Sequence, residues 1–473
     1  MNRYDSSLQS STSSATPTPS TEDALYEKSH KIYPREVHGL FATARVAAAT
    51  ILLGIFYLLP WVQWDGRQAV LFDLPARKFY LFGLTLWPQD FLYLTFLLML
   101  AAYALFFFTA LAGRLWCGYA CPQTVWTESF LWIERKIEGT RQQQMKLDRA
   151  PMSLRKFRLK ATKHAIWIAF SLFTGFMFVS YFTPARELAV RLAGFALGPW
   201  ETFWLFFYGF ATYGNAGFMR EQVCKYMCPY ARFQSAMFDN DTLVISYDTK
   251  RGDPRGSRRS NVDPKQQGLG DCINCTMCVQ VCPTGIDIRD GLQYDCIGCA
   301  ACIDVCDDVM DKMNYPRGLI RYTTQHELEG GKTQVFRPRI LVYGAILIAL
   351  CGLFAWRLSQ RVAVGLDVLH DRNQLYREAA GKIENVYLLK VINKDDATHR
   401  YTLAVGGIDG IALAEPNPVI EAASGAVVSV PIAVRAAESA LPSSSTPVQF
   451  SITAEDDPTL TVSTEAKFLG PAK

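Results

Sequence analysis

Eight cysteines between Cys272 and Cys306 form two tandem runs whose spacing is typical of iron–sulfur ligation. The first run is Cys-x2-Cys-x2-Cys-x3-Cys-Pro and the second is Cys-x2-Cys-x2-Cys-x3-Cys, the spacing that folds around two 4Fe-4S clusters. In proteins with this arrangement, the fourth cysteine of each run binds the other cluster. We therefore assign two ligand sets to iron: Cys272, Cys275, Cys278 and Cys306 form the first set, and Cys296, Cys299, Cys302 and Cys282 form the second set.

Zinc is the alternative metal, because Cys-x2-Cys pairs also suit tetrahedral zinc. Zinc sites commonly take two ligands from each loop, whereas each run here offers three cysteines at x2 spacing and a fourth at x3. The tandem repetition favours iron–sulfur clusters, and with them the transfer of single electrons. The second run ends in Cys306-Asp307 instead of Cys-Pro, which alters the turn and removes no ligand.

A second cysteine pattern, Cys-x3-Cys-Pro, also occurs twice, at Cys117 to Pro122 and at Cys224 to Pro229. On a helix, positions i and i+4 share one face, so we expect the two thiols of each motif to point to a common place. Soft thiolates prefer Cu(I), zinc or iron–sulfur centres, and a dithiol can also cycle to a disulfide. The alternative is that these are small buried side chains. The candidate catalytic residues are Cys117, Cys121, Cys224 and Cys228.

Composition places much of the chain in lipid. Half of the 473 residues are hydrophobic and only 19% are charged, which is too apolar for a soluble enzyme of this length. Several apolar runs approach the ~20 residues that cross the hydrocarbon of a bilayer. We expect a five-helix transmembrane bundle with spans at Leu40–Leu59, Phe91–Gly113, Ile166–Phe182, Trp200–Met219 and Ile340–Trp356.

The distribution of Lys and Arg predicts the orientation of these spans. Residues 114–163 hold eleven Lys and Arg, whereas residues 59–89 and 183–199 hold three and two, and basic loops stay on the cytoplasmic side. The N-terminus and the clusters are then cytoplasmic, and the C-terminal region lies outside. This agrees with the reducing compartment that free thiols require. The net charge of +4 follows from the same distribution, so we expect no nucleic acid partner.

The remaining segments complete a multi-domain organisation. Residues 1–32 are rich in Ser and Thr and are predicted to be a disordered tail. Residues 33–235 form the membrane domain with spans 1–4 and both Cys-x3-Cys-Pro motifs, residues 236–335 form a bacterial-type ferredoxin domain with two clusters, and residues 336–358 form the fifth helix. In residues 359–473, short alternating apolar runs separated by Gly, Asn, Asp and Pro predict an immunoglobulin-like all-β sandwich of about seven strands.

The chain resembles the CcoG family, also called FixG or RdxA, from about Tyr33 onward. The residues that carry the resemblance are Trp116 to Gln123, Cys224 to Pro229, the two cluster runs, and Asp367 to Asn373. The resemblance implies an assembly factor of C-type haem–copper oxidases in the bacterial inner membrane, with the C-terminal domain periplasmic. It also implies a cupric reductase that takes copper, as substrate or bound ion, at Cys117, Cys121, Cys224 and Cys228.

The implied partners are membrane lipid, a cytoplasmic electron donor, copper chaperones and cytochrome oxidase assembly factors, and a homodimer is one option for assembly. A different function remains open, because quinol-linked conduits of the NapH type also resemble this chain in combining Cys-x3-Cys-Pro motifs with two clusters. His38 and His370 lie next to spans. A lone histidine near an interface is more often a surface side chain than a ligand, so we assign neither to copper.

Overall fold

The structure is a computed structural model and describes residues 31–259, 267–371, 374–379, 381–395, 397–416 and 418–471. The predicted tail at residues 1–32 lies almost wholly outside the described residues, and so do Arg372 and Asn373. The α-helices are α1 (Leu40–Leu58), α2 (Phe91–Ala112), α3 (Leu115–Tyr119), α4 (Pro122–Glu138), α5 (Arg141–Arg149), α6 (Leu154–Val179), α7 (Ala185–Ala193), α8 (Pro199–Thr212), α9 (Pro229–Ala236), α10 (Thr249–Gly252), α11 (Met277–Val281), α12 (Ala301–Met313), α13 (Gln325–Glu329) and α14 (Pro338–Ser359).

Within the described residues, four helices are long and apolar enough to cross a bilayer, namely α1, α2, α6 and α14. They correspond to the first, second, third and fifth predicted spans. The remaining predicted span, Trp200–Met219, is the 14-residue α8 followed directly by a π-helix at Tyr213–Met219. The chain is thus a membrane protein with these apolar helices, and the count of five spans stays a prediction.

The basic stretch between the second and third predicted spans is folded. Residues 114–163 form α3, α4, α5 and the first turns of α6. Helix α6 begins at Leu154, twelve residues before the predicted span, because Ser153 accepts a hydrogen bond from the backbone amide of Lys156 and so caps the helix. Several positive charges of this stretch therefore belong to packed helices and have structural partners, such as Lys160 with Glu138 and Lys163 with Glu134.

Two small sheets occupy the stretch between α1 and α2, which the sequence patterns did not predict. Strand β1 (Gln63–Trp64) pairs with β2 (Arg67–Gln68), and β4 (Lys78–Leu81) lies between β3 (Val70–Asp73) and β5 (Leu84–Leu86). Lys78 Nζ donates to Gly425 O at 2.6 Å, and Lys394 Nζ lies 3.0 Å from Asp90 Oδ1. These contacts attach the stretch to the C-terminal domain.

The ferredoxin part is built on an antiparallel pair of strands and two packed helices. Strand β6 (Val244–Tyr247) pairs with β7 (Ile320–Thr323), and α11 packs on α12. Asp304 of α12 accepts backbone hydrogen bonds from Phe41 and Ala42 at 3.1 and 2.7 Å, and thereby caps the first turn of α1. The ferredoxin part therefore sits at the N-terminal end of α1.

The C-terminal domain is a sandwich of two antiparallel sheets, as predicted. Its strands are β8 (Val364–His370), β9 (Arg377–Ala379), β10 (Lys382–Asn393), β11 (His399–Gly406), β12 (Ala412–Leu413), β13 (Val419–Ala422), β14 (Val427–Ala436), β15 (Ser445–Ala454) and β16 (Thr461–Leu469). One sheet has the order β12-β14-β10-β8 with β9 paired to β10, and the other has the order β13-β11-β15-β16. Tyr387, Tyr401 and Phe450 are fully buried between the sheets. The expected number of about seven strands was too low because β9 and β12 are too short to show alternation.

The ferredoxin part and the sandwich lie at opposite ends of the apolar helices. At one end, Arg337 donates to Ala110 O at 2.6 Å and pairs with Asp239 at 3.0 Å, just before α14 begins. At the other end, Tyr93 at the start of α2 donates to Arg357 O near the end of α14 at 3.1 Å. The helices α2 and α14 thus run antiparallel between the two folded parts.

Candidate redox site

The eight cysteines of the two runs surround two small apolar cavities. Cys272, Cys275, Cys278 and Cys306 line one cavity. Cys282, Cys296, Cys299 and Cys302 line the other, together with Cys278. We call these groups of four thiols the outer set and the inner set, respectively. The structure thus groups the thiols in the crossed arrangement expected from their spacing, which fits two separate clusters.

The backbone explains how each run wraps its cavity. Asn274 and Thr276 in the first run have φ of 54° and 55°, and Gly298 and Ala300 at the equivalent places of the second run have φ of 69° and 58°. Left-handed residues turn the chain sharply, so three thiols of a short segment can face one point. The same two positions are left-handed in both runs, which makes the two loops local copies of each other.

Burial disfavours the thiolate form of these cysteines unless a positively charged partner is present. Burial raises the pKa of Cys278 to about 11 and that of Cys299 to about 12, and the nearby guanidinium groups of Arg289 and Arg45, respectively, offset only part of this effect. A thiolate in apolar surroundings is stabilised when it binds a metal ion, and binding releases its proton. The donor set, its burial and its grouping therefore fit iron–sulfur clusters at the outer and inner sets.

The Cys-x3-Cys-Pro motifs differ from the predicted geometry. Cys117 lies in α3, but Cys121 follows the end of that helix with φ of −61° and ψ of 128°. Cys224 lies in a π-helix at Val223–Met227, and Cys228 follows it with φ of −79° and ψ of 111°. The expectation that both thiols of a motif share one helix is wrong, because a residue before proline avoids the helical region and each proline opens the next helix.

The four motif thiols are nevertheless neighbours. Burial, and then the neighbouring thiols of Cys121, Cys117 and Cys228 in that order, together raise the pKa of Cys224 to about 12. Cys117 Sγ donates to Gln234 Oε1 at 3.1 Å, which fixes its direction. In the described part of the chain, no three His, Cys, Asp or Glu side chains converge tightly enough for a single ion. The four motif thiols are therefore near one another without forming a closed mononuclear site.

A larger cavity of about 420 Å³ joins the two thiol systems, because both Cys224 and Cys299 line it. Its other walls come from the segment before α1, which includes His38, from α1 itself and from α4. No sequence pattern predicted this cavity, since its walls are far apart in the chain. His370, the other histidine next to a span, is instead bonded to Asn385 and to the backbone of Asp371 inside the sandwich.

A buried group of ion pairs holds the second motif in place. Glu134 of α4, only 1% exposed, lies 2.7 Å from Arg220 and 3.1 Å from Lys163. Gln123, one residue after the first motif's proline, donates to Arg220 O at 3.1 Å. Arg220 therefore links the first motif and α4 to the segment that carries Cys224. The sequence patterns did not indicate these residues, because Lys163 and Arg220 are 29 and 86 positions away from Glu134.

The ion pairs of Glu134 predict an acid-sensitive contribution to stability. Burial alone would raise the pKa of Glu134, but Arg220, Lys163 and Lys31 together lower it from 4.5 to about 2. Since the unfolded chain binds this proton more readily, the contribution is complete above pH 4.5 and is lost as the pH falls toward 2. We expect the difference in Tm between the wild type and Glu134→Gln, measured by circular dichroism in detergent, to shrink over that range. A difference that is constant with pH would contradict this prediction.

Comparison with protein families divides the chain in the same way. A model described as "4Fe-4S binding domain" matches residues 94–139, and one described as "4Fe-4S dicluster domain" matches residues 219–325. A third model, described as an "IG-like fold at C-terminal of FixG", matches residues 354–471. The first range contains Cys117 and Cys121, and the second contains Cys224, Cys228 and all eight cluster cysteines.

Over 422 residues, the chain is 38% identical to the nitrogen fixation protein FixG of Rhizobium meliloti (strain 1021), and the match covers 81% of this chain and 80% of FixG. The chain belongs to the FixG family, also called CcoG or RdxA. Protein RdxA of Cereibacter sphaeroides is 41% identical over 429 residues, which cover 88% of this chain and 89% of RdxA. The crystal structure of a FixG-related protein from Vibrio parahaemolyticus is 34% identical and covers 23% of this chain and 95% of that chain, with a TM-score of 0.21.

The family and the matched domains identify the chain as a membrane iron–sulfur redox protein with an immunoglobulin-like C-terminal domain. The predicted family, the 4Fe-4S domains and the sandwich are confirmed. The specific assignment of each cysteine to iron or copper stays a prediction.

Proposed function

We propose that this chain is a membrane-bound iron–sulfur cupric reductase, which converts Cu(II) to Cu(I) for assembly of the copper centre of a cytochrome oxidase. The observation that carries the proposal is the 420 Å³ cavity, because it is lined by Cys224 of the second Cys-x3-Cys-Pro motif and by Cys299 of the inner set. A redox centre and a soft metal-accepting site therefore share one space. The choice of copper rests on the family resemblance.

The donor chemistry of the motifs suits this reaction. Cu(II) favours nitrogen and oxygen ligands in tetragonal geometry, whereas Cu(I) favours soft sulfur at low coordination number. The thiols of Cys117, Cys121, Cys224 and Cys228 would therefore stabilise the reduced ion more than the oxidised one. Gln234 orients the Cys117 thiol, and the open arrangement of the four thiols suits a substrate that must leave again.

Clusters bound at the outer and inner sets would supply transfer of single electrons. The reaction is balanced when each Cu(II) gains one electron and a soluble one-electron donor in the cytoplasm loses one, with no proton transferred. The chain's own contribution is to hold eight thiols in two sets, all but Cys275 at least partly buried, and to place the inner set against the motif that receives the ion.

The proposal includes location in a bacterial inner membrane, with the N-terminus and the ferredoxin part cytoplasmic and the sandwich periplasmic. The positions of these two parts at opposite ends of α2 and α14 support it, as does the excess of Lys and Arg in residues 114–163. Copper chaperones and oxidase assembly factors are the proposed partners of the product. A homodimer is compatible with this arrangement.

The test is the double variant Cys117→Ser and Cys121→Ser. Serine keeps the size of the side chain and replaces the soft sulfur with a hard oxygen, so Cu(II) reduction by the purified, donor-reduced protein should be abolished. The iron content and the electron paramagnetic resonance (EPR) signal of the clusters should be unchanged. Cys351→Ser, at an exposed cysteine within α14, is the matched control and should keep full activity. Unchanged copper turnover in the double variant would rule out this site.

A quinol-linked electron conduit is the second candidate, and the size of the large cavity favours it. A cavity of about 420 Å³ is larger than an ion needs and falls within the range that small organic ligands occupy. Ala42, Thr43 and Val46 from the first turns of α1 line it, so its wall includes a membrane helix. The test is oxidation of a quinol analogue by the purified protein in the absence of copper. Activity that is lost when Thr127→Trp fills the cavity would favour this candidate over cupric reduction.

A further inference from the structure

The backbone of the first Cys-x3-Cys-Pro motif touches the backbone of the loop that carries the inner thiol set. Gly118 lies between Cys117 and Cys121, and a Cβ atom placed on it would come within 2.7 Å of Gly298 O and 2.9 Å of Cys299 Cα. Real Cβ atoms do not approach other heavy atoms so closely. A residue with a side chain at position 118 would therefore push the motif away from the loop that carries Cys299.

The partner position is a glycine for a related reason. Gly298 has φ of 69°, which favours glycine, and its own Cβ would meet Arg114 O at 3.0 Å. Two glycines thus face each other where α3 meets the second cysteine run. Such close backbone approach is a recognised use of glycine, and here it brings two thiol-bearing segments together.

Three side chains fasten this contact. The buried Arg114, just before α3, donates to Tyr294 O and to Cys296 O, the latter at 3.3 Å. Tyr322 Oη donates to Gly298 O at 2.7 Å. Arg45 of α1 donates to Cys299 O. Arg114 and Arg45 therefore hold the inner loop from the membrane domain at the carbonyl groups of Tyr294, Cys296 and Cys299, and Tyr322 of β7 holds Gly298 from within the ferredoxin part.

The outer set is placed differently. Every residue that lines its cavity lies within residues 247–320, which belong to the ferredoxin part. Cys275 of this set is exposed, whereas each thiol of the inner set is at least partly buried. The two sets therefore face different surroundings: the inner set adjoins the membrane domain, and the outer set has a thiol at the surface.

We propose that electrons leave the ferredoxin part across the contact between Gly118 and Gly298. The inner set is then the exit toward the motif thiols, and the outer set, with its exposed Cys275, is the entrance for the soluble donor. In each turnover the donor loses one electron and Cu(II) gains one. This inference rests on the proposed function for its acceptor, and within it Gly118 is a positioning residue.

The first test compares Gly118→Ala with Gly54→Ala. Gly54 lies in α1 with nothing within 4 Å of its would-be Cβ, so the same change there is a matched control. Both variants are loaded with iron and reduced, and the excess reductant is removed under anaerobic conditions. They are then mixed with Cu(II) and followed by freeze-quench EPR. We expect the reduced cluster signals of Gly118→Ala to persist several-fold longer than those of the wild type and of Gly54→Ala, at unchanged iron content.

Hydrogen–deuterium exchange gives a second measurement on the same two variants that does not depend on copper. Hydrogen–deuterium exchange at residues 294–299 should rise in Gly118→Ala and stay at the wild-type level in Gly54→Ala, because only the first change opens the contact. Faster exchange together with an unchanged rate of signal loss would show that the contact is structural and would overturn the inference. A wild-type protein that leaves Cu(II) unreduced would instead overturn the proposed function.

The second test determines the order of the two sets without relying on the glycine. In the same single-turnover experiment, Cys275→Ala, which damages the outer set, should lose its one remaining reduced EPR signal after Cu(II) is added. Cys299→Ala, which damages the inner set, should retain a reduced EPR signal after Cu(II) is added. The opposite pattern, with Cys299→Ala active and Cys275→Ala inactive, would overturn the inference.

Discussion

Replacing Glu134 with glutamine should lower the free energy of unfolding by about 3–5 kcal/mol, the cost of breaking a buried ion pair from one side. The substitution keeps the shape of the side chain and removes the charge that Arg220 and Lys163 share at 2.7 and 3.1 Å. Both cations would then be buried with one partner fewer. The measurement is denaturant unfolding of the detergent-solubilised protein, followed by circular dichroism.

The control is Glu187→Gln, which breaks the pair between Glu187 and Arg191. Both of these side chains are about half exposed and lie at i and i+4 of α7, so their loss should cost no more than about 1 kcal/mol. If the two variants lose equal stability, the buried network does not stabilise the fold as the structure implies. Because Arg220 precedes the segment of Cys224, the Glu134 variant should also reduce Cu(II) more slowly.

The parts that the sequence predicted well are those in which local pattern determines structure. The tandem cysteine spacing predicted which thiols would group together, because three thiols at x2 spacing can wrap one cluster and the fourth ligates the other cluster in two-cluster ferredoxins. The alternation of runs such as Val427 to Ile432 predicted strands, because side chains of a strand point to opposite faces in turn. The apolar runs predicted the long helices, because a helix needs about 20 consecutive apolar residues to cross a bilayer.

The sequence predicted poorly the parts of the structure that depend on contacts between distant segments. One local signal, the proline after each Cys-x3-Cys motif, was interpreted incorrectly. Glu134 sits in a stretch rich in Lys and Arg, so its charge looked like part of a solvated loop, and only the fold shows that it is buried. The helix break at each Cys-x3-Cys-Pro motif could have been predicted. Pro122 and Pro229 directly follow Cys121 and Cys228, and proline disfavours helical geometry in the residue before it.

The closeness of Gly118 to Gly298 illustrates a further limit. Glycine in a sequence indicates that the backbone needs freedom or space, but it does not identify the segment that fills the space. Here the partner is 180 residues away and is set by how the ferredoxin part docks on α3. Only the three-dimensional arrangement reveals that both glycines serve one contact.

The crossed pairing of the cluster ligands gives the second large effect, which two double variants should reveal. Cys306 of α12 lines the cavity of the outer set, and Cys282, at the end of α11, lines that of the inner set. The anaerobically purified wild type should hold about eight irons per chain, and each single cysteine variant about four. The variants to compare combine Cys275→Ala with either Cys306→Ala or Cys282→Ala.

If Cys306 serves the outer set, adding Cys306→Ala to Cys275→Ala damages a set that is already lost, so about four irons and one EPR signal should remain. Adding Cys282→Ala instead damages the inner set as well, so little iron should remain. Uncrossed pairing predicts the reverse result for the two double variants. A single preparation of each, analysed for iron and by EPR, therefore decides the pairing, and two zinc ions without iron would refute the cluster assignment altogether.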